Sequence, residues 1–187
     1  MKTKNMKHYK PVAYFTSRLM YSLNSYAKKK KKYCEDNNKV LHRGTTLFYS
    51  CLLPYERAVG KIILLSAFTS TSEDKNVALA WAQRGNKEVF QNSKKFSVIF
   101  HIKNLYNNGW IPNAINIQKN SEYGKEREIL FQPFSFYRVK AVNINIKDYT
   151  ADIELETIGK KEILEEQIKM GKEIVYNKNE NIMEVSH

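Results

Sequence analysis

Cysteine is nearly missing: Cys34 and Cys51 are the two in 187 residues. They are too few for a disulfide framework and lack the spacing of a metal site, which makes a reducing compartment the default. No Gly-x-Gly-x-x-Gly stretch occurs, which excludes the Rossmann mode of dinucleotide binding. No apolar run is long enough to cross a bilayer. The start, MKTKNMKHYKPVAYFTSRLMYSL, has a basic head, but Thr16, Ser17 and Arg18 break its apolar part, so it reads as a poor secretory signal. Internal repeats are absent. Acidic residues are also scarce: 19 against 31 Lys and Arg, a net charge of +12, which favours anionic partners such as nucleic acid, a lipid surface or an acidic protein. The block Lys28 to Lys32 stands out, but lysine and asparagine recur along the whole chain, so the block reads first as a solvated face.

What is present is enough to fold. Hydrophobic residues make up 42% and aromatics 12% of the chain, which argues against disorder, and the length fits one domain plus a terminal extension. Pro11 suits a first helical turn, and Val12, Phe15, Leu19, Leu23 and Tyr26 recur at helical spacing up to the lysine block. After the polar stretch EDNN, KVLHRGTTLFYS reads as a strand with a turn at Gly44, and GKIILLSAFTSTS as a short buried apolar run that closes in hydroxyls. Ser72 is placed to cap a helix from Asp74 to Ala82, with Val77, Ala78 and Trp81 on one side. KFSVIFHIKN reads as a strand, and residues 107–124 as loop around one short extended piece. Three further strands are expected in EREILF, FYRVKAVNINI and ADIELETI, followed by a helix-favouring tail interrupted at Gly171. The expected class is α+β, with a domain over residues 1–158 and a helical extension over 159–187.

Within this frame Glu126 and Glu128 stand one residue apart where a loop enters a strand. In extended backbone, residues i and i+2 share a face, so the two carboxylates would lie together. A lone Glu-x-Glu is ordinarily a solvated pair at a sheet edge, and one arginine or one hydroxyl triplet is equally unremarkable. Here three pieces occur in order: Arg43 in LHRGT, Ser70-Thr71-Ser72 two residues after Phe68, and Glu126-x-Glu128.

Together these pieces resemble the arginine-serine-glutamate branch of the mono-ADP-ribosyltransferases, over about residues 40 to 140. The resemblance implies two packed, mainly antiparallel sheets around an NAD cleft with N-terminal helices. It further implies NAD as substrate, no metal, and transfer of ADP-ribose to an arginine of a target protein with release of nicotinamide. On this resemblance Glu128 stabilises the oxocarbenium-like charge that develops as the bond to nicotinamide breaks, a demand also met by carboxylates in glycoside hydrolysis. Glu126 serves the acceptor, because a protonated guanidinium is a poor nucleophile and must lose a proton during attack. Arg43 supports NAD, the backbone at Gly44 holds the nicotinamide amide, and Ser70 orients Glu128 or the ribose. Tyr123, three residues before Glu126, falls in the loop that contacts the protein substrate.

Other readings accompany these. Phe68 reads as core, His42 as a packing or edge residue without a role, and Trp81 as helix packing before nicotinamide contact. The cysteine framework of secreted vertebrate relatives is lacking, which favours an intracellular enzyme, an effector delivered into a host cytosol, or one module of a longer chain. No specific nucleic acid is expected as partner. Two rivals remain: an NAD glycohydrolase with water as acceptor, and a catalytically silent basic binding module.

Overall fold

The computed structural model describes residues 6–30, 39–87, 95–104, 114–118, 127–159, 162–166 and 168. Helix α1 (Met6–Lys30) leads into strand β1 (Val40–Phe48), helix α2 (Tyr49–Arg57), β2 (Ile62–Leu65), β3 (Thr69–Ser72) and helix α3 (Lys75–Lys87). Strands β4 (Lys95–Lys103), β5 (Ala114–Asn116), β6 (Glu128–Phe131), β7 (Ser135–Asn145) and β8 (Thr150–Thr157) follow. Residues 162–166 are again helical.

The eight strands of the described residues join in the order β2-β7-β8-β4-β1-β3-β6-β5. Among the named strands only the β4–β8 pairing is parallel, and an isolated bridge, Val59↔Val139, is parallel too. The join between β1 and β3 consists of the single pair His42↔Ser72, whereas β1 and β4 are registered from Val40↔Lys103 to Phe48↔Lys95. The molecule therefore has the expected two mainly antiparallel sheets, of five and three strands, linked at one residue pair. Chain length forces them to face each other. Leu65 ends β2 and Thr69 begins β3, a span of at most about 14 Å in extended chain, yet five strand steps in a flat sheet would separate them by about 24 Å. The sheet has to curl.

The curl encloses the core. From β4, Phe96, Val98, Phe100 and Ile102 point inward to meet Leu41 of β1, Ile129 and Phe131 of β6, Tyr137 and Val139 of β7, and Ile153 and Leu155 of β8. The Phe131 and Tyr137 rings pack edge to face at 5.7 Å, tying the two sheets together. On the opposite face of β4, Ile99 packs against Ala78 and Ala82 of α3, and Ser97 Oγ donates to the Ala82 carbonyl at 3.2 Å. Coverage on both faces explains why Val98, Ile99 and Phe100 form a continuous apolar run rather than an alternating one.

Several local expectations give way. The first helix begins at Met6, before Pro11. Its apolar stripe is covered only towards its C-terminal end: Val12 and Phe15 are 63% and 66% exposed, while Ala27 is fully buried, and Asn24 exchanges two amide hydrogen bonds with Gln132. The run Ile62–Leu65 is an edge strand with Leu64 exposed, not a buried one. Helix α2 was not expected, because Pro54 lies inside it. Gly44 is not a turn but the middle of β1.

Candidate active site

Beyond His42↔Ser72 the strands β1 and β3 part. Continued pairing would set Gly44 opposite Ser70. Instead Arg43 Nη1 donates to the Ser70 carbonyl at 3.0 Å, so a guanidinium occupies the slit between the sheets. Burial pulls the Arg43 pKa down from its ordinary value, opposed by the nearby Tyr137 and Tyr55 phenols, but guanidinium keeps its proton throughout. Burial pushes both phenols up, so they stay neutral beneath it.

The β3–β6 register pairs Ser70 with Leu130 and Ser72 with Glu128. Alternation then puts Ser70, Ser72 and Glu128 on one face and turns Thr71 to the other. Ser70 Oγ donates to Glu128 Oε1 at 2.6 Å, a short charge-assisted bond that fixes the carboxylate. Buried Thr71 donates to the Ile129 carbonyl at 2.6 Å and fastens the two strands. Ser72 accepts from the Asp74 backbone N–H at 2.9 Å, and the Asp74 carboxylate accepts from Asn76 N–H at 2.9 Å. The cap of α3, assigned to Ser72 on sequence, is thus supplied by Asp74, and the helix runs from Lys75 to Lys87.

Helix α3 lies directly on β1. A methyl group placed on Gly44 would sit 1.6 Å from the Ala78 carbonyl oxygen and 2.8 Å from the Ala82 nitrogen. Glycine is required here by close approach, not by a turn. The helix and the sheet face enclose a cleft of about 650 Å³ lined by Arg43, Gly44, Ser70, Ser72, Glu128, His42, Trp81 and Arg84, among others, a size ordinary for small-molecule sites. Trp81, read first as packing, is 42% exposed and forms cleft wall. The Arg84 guanidinium lies 4.9 Å from the Trp81 ring centre, a cation–π contact. Phe68 is half-buried beside an adjoining cavity rather than in the core.

Arg43, Gly44, Ser70 and Glu128 are therefore brought together at one cleft. Glu126 and Tyr123 lie outside the described residues. The shared face anticipated for the two glutamates does not follow from strand geometry, since β6 starts at Glu128 and Arg127 before it has the left-handed φ of 47°. Two cleft residues had no role on sequence. Arg84 follows Trp81 by three positions, a helical same-side spacing that could have revealed it. His42 depends on a partner far along the chain: its Nδ1 lies 3.0 Å from Nδ1 of His101, whose Nε2 lies 2.7 Å from Asp152 Oδ1.

Among the described residues no group of His, Cys, Asp or Glu is arranged to hold a metal ion, and no described helix is long and apolar enough to cross a membrane. The cleft does fit a dinucleotide in kind: two arginine side chains for phosphates, an aromatic wall, and a fixed carboxylate.

Similarity to known proteins agrees with this arrangement. Vis, an ADP-ribosyltransferase toxin from Vibrio splendidus, is similar in its inhibitor complex at 28% identity and a TM-score of 0.51, over 70% of this chain and 51% of that one. In its complex with agmatine the values are 25%, 0.50, 70% and 52%. The chain thus spans about half the length of the Vis chains. The C3 exoenzyme of Clostridium limosum shares the fold, with 17% identity, a TM-score of 0.51, and coverage of 73% and 67%. No curated protein matches. The family description NAD:arginine ADP-ribosyltransferase matches residues 2–162, nearly the whole chain, and the chain belongs to that family.

Proposed function

We propose that this protein transfers ADP-ribose from NAD to an arginine side chain of a target protein and releases nicotinamide. The observation that carries the reading is the 2.6 Å bond from Ser70 to Glu128, in the same cleft wall as Arg43 and Arg84. Cleavage of the bond between nicotinamide and ribose leaves positive charge at the anomeric carbon, and a carboxylate already held in place stabilises it without reorganising. Ser70 keeps Glu128 in that position. Arg43 and Arg84 supply charge for the pyrophosphate, and Trp81 offers an aromatic wall to the nicotinamide side. Glu126 takes the proton that an attacking guanidinium must lose, and Tyr123 touches the protein acceptor.

An arginine acceptor is further supported by the agmatine complex of Vis, because agmatine carries the same guanidinium group. We read residues 1–158 as the catalytic domain and 159–187 as an extension. The setting that suits it is a cytosol, either of the producing cell or of a host into which it is delivered. Incubation with labelled NAD and a lysate, followed by mass spectrometry of modified peptides, tests the reading. Labelled arginine is the expected result. Release of nicotinamide without protein label would make water the acceptor, and failure of both would refute the transferase reading.

A further inference from the structure

A row of side chains crosses the sheet under the cleft. His42 of β1 pairs with Ser72 of β3, which pairs with Glu128 of β6, so the three share one face. On its other side His42 pairs with His101 of β4. The two imidazoles meet edge to face, ring centres 5.1 Å apart, through their Nδ1 atoms at 3.0 Å, and His101 Nε2 reaches Asp152 Oδ1 of β8 at 2.7 Å.

Proton accounting fixes the tautomers. A carboxylate only accepts, so His101 Nε2 carries a hydrogen, and a neutral His101 then has a bare Nδ1. The 3.0 Å contact needs one donor, so His42 Nδ1 carries the hydrogen and His42 Nε2 is bare. That nitrogen makes no hydrogen bond to any described residue, and the His42 ring lines the cleft. One added proton reverses the arrangement. On His42 it gives both ring nitrogens a hydrogen, so that Nε2 can only donate. A single protonation event converts the free nitrogen of His42 from acceptor to donor.

We propose that His42 is a substrate-binding residue whose bare Nε2 accepts a hydrogen bond from an amide or hydroxyl group of bound NAD, and that His101 and Asp152 are positioning residues that select this tautomer. The inference rests on the cleft binding NAD. The charged groups facing His42 are His101 from β4 and, at the start of α3, Lys75 and Asp74; burial, His101 and Lys75 hold its pKa below the ordinary value while Asp74 opposes them. The accepting form is therefore the one present at neutral pH, and it is lost as the solution is acidified.

NAD affinity measured by titration calorimetry between about pH 5 and pH 8 tests this. The wild-type chain should bind less tightly as pH falls. His42→Phe should bind about three- to tenfold more weakly at neutral pH, the value of one hydrogen bond, with no acid loss. His42→Gln, whose amide oxygen accepts at every pH, should recover part of the affinity and stay flat in acid. Asp152→Asn, at the half-exposed end of the relay, should weaken NAD binding at neutral pH, because an amide can donate as well as accept and no longer selects the tautomer that leaves His42 Nε2 bare. A wild-type affinity independent of pH, a His42→Phe variant that binds as well as wild type, or an Asp152→Asn variant that binds as tightly as wild type at neutral pH would each overturn the inference. A wild-type chain that binds no NAD at any pH would overturn this inference and the transferase reading together.

Discussion

The two sheets differ in what they contribute. The five-strand sheet is tied by long registers, nine pairs between β1 and β4 and seven between β4 and β8, and supplies most of the buried side chains. The three-strand sheet has short ladders, four pairs between β3 and β6 and three between β6 and β5, and carries Ser70 and Glu128 on its cleft face. Most of the core and the proposed catalytic pair are thus housed apart, meeting at His42↔Ser72 and at the Arg43 hydrogen bond beside it. A carboxylate can be held rigidly at a sheet end because the opposite sheet, not its own, anchors the fold.

This division can be broken or sharpened by substitution. The largest effect is expected for Glu128→Gln, which should lower nicotinamide release by about 10²- to 10³-fold while leaving thermal unfolding unchanged. Glu126→Gln in the same assay should remove arginine labelling yet leave slow release to water, which separates cation stabilisation from acceptor activation. In the five-strand sheet the reverse is expected. Leu155, 1% exposed, should cost about 3 kcal/mol as Leu155→Ala through lost burial and a cavity, read by urea unfolding, with residual folded enzyme still active. Arg43→Lys stands between the two. It keeps the charge but loses the planar fork, so NAD affinity should fall and stability drop by about 1 kcal/mol as the Ser70 carbonyl loses its donor. Smallest of all, Glu166→Gln removes the 3.2 Å partner of Arg138, and as a half-exposed pair it should shift stability by less than about 1 kcal/mol. Equal losses of activity and stability for Glu128→Gln would show that the sheets are not separate in function.

Much of this was legible in the sequence. Strand β4 and the strands from β6 to β8 announce themselves by period and by β-branched or aromatic residues, and the ordered spacing of Arg43, Ser70 and Glu128 located the cleft. What was not legible depends on neighbours distant in the chain. Gly44 looked like a turn because sequence cannot reveal that Ala78 packs on it. Helix α2 was hidden by Pro54. The His42–His101 contact links residues 59 apart, and only the strand register brings them together. The apolar spacing of α1 was correct as helix but not as burial, since periodicity says which residues align and not whether anything covers them.

The parallel pairing of β4 with β8 has a consequence for how the protein is made. Ser97 pairs with Thr150 and Lys103 with Glu156, more than fifty residues further on. During synthesis β4 can zip onto β1, which precedes it, but its other edge stays bare until β8 has emerged, a few seconds later at about 5–20 residues per second. Over that interval Phe96, Val98, Phe100 and Ile102 belong to an unpaired apolar edge, the kind of surface that aggregates or recruits a chaperone. The time the ribosome takes over residues 104 to 150 therefore bears on yield, and slow translation of that stretch should lower the fraction recovered folded.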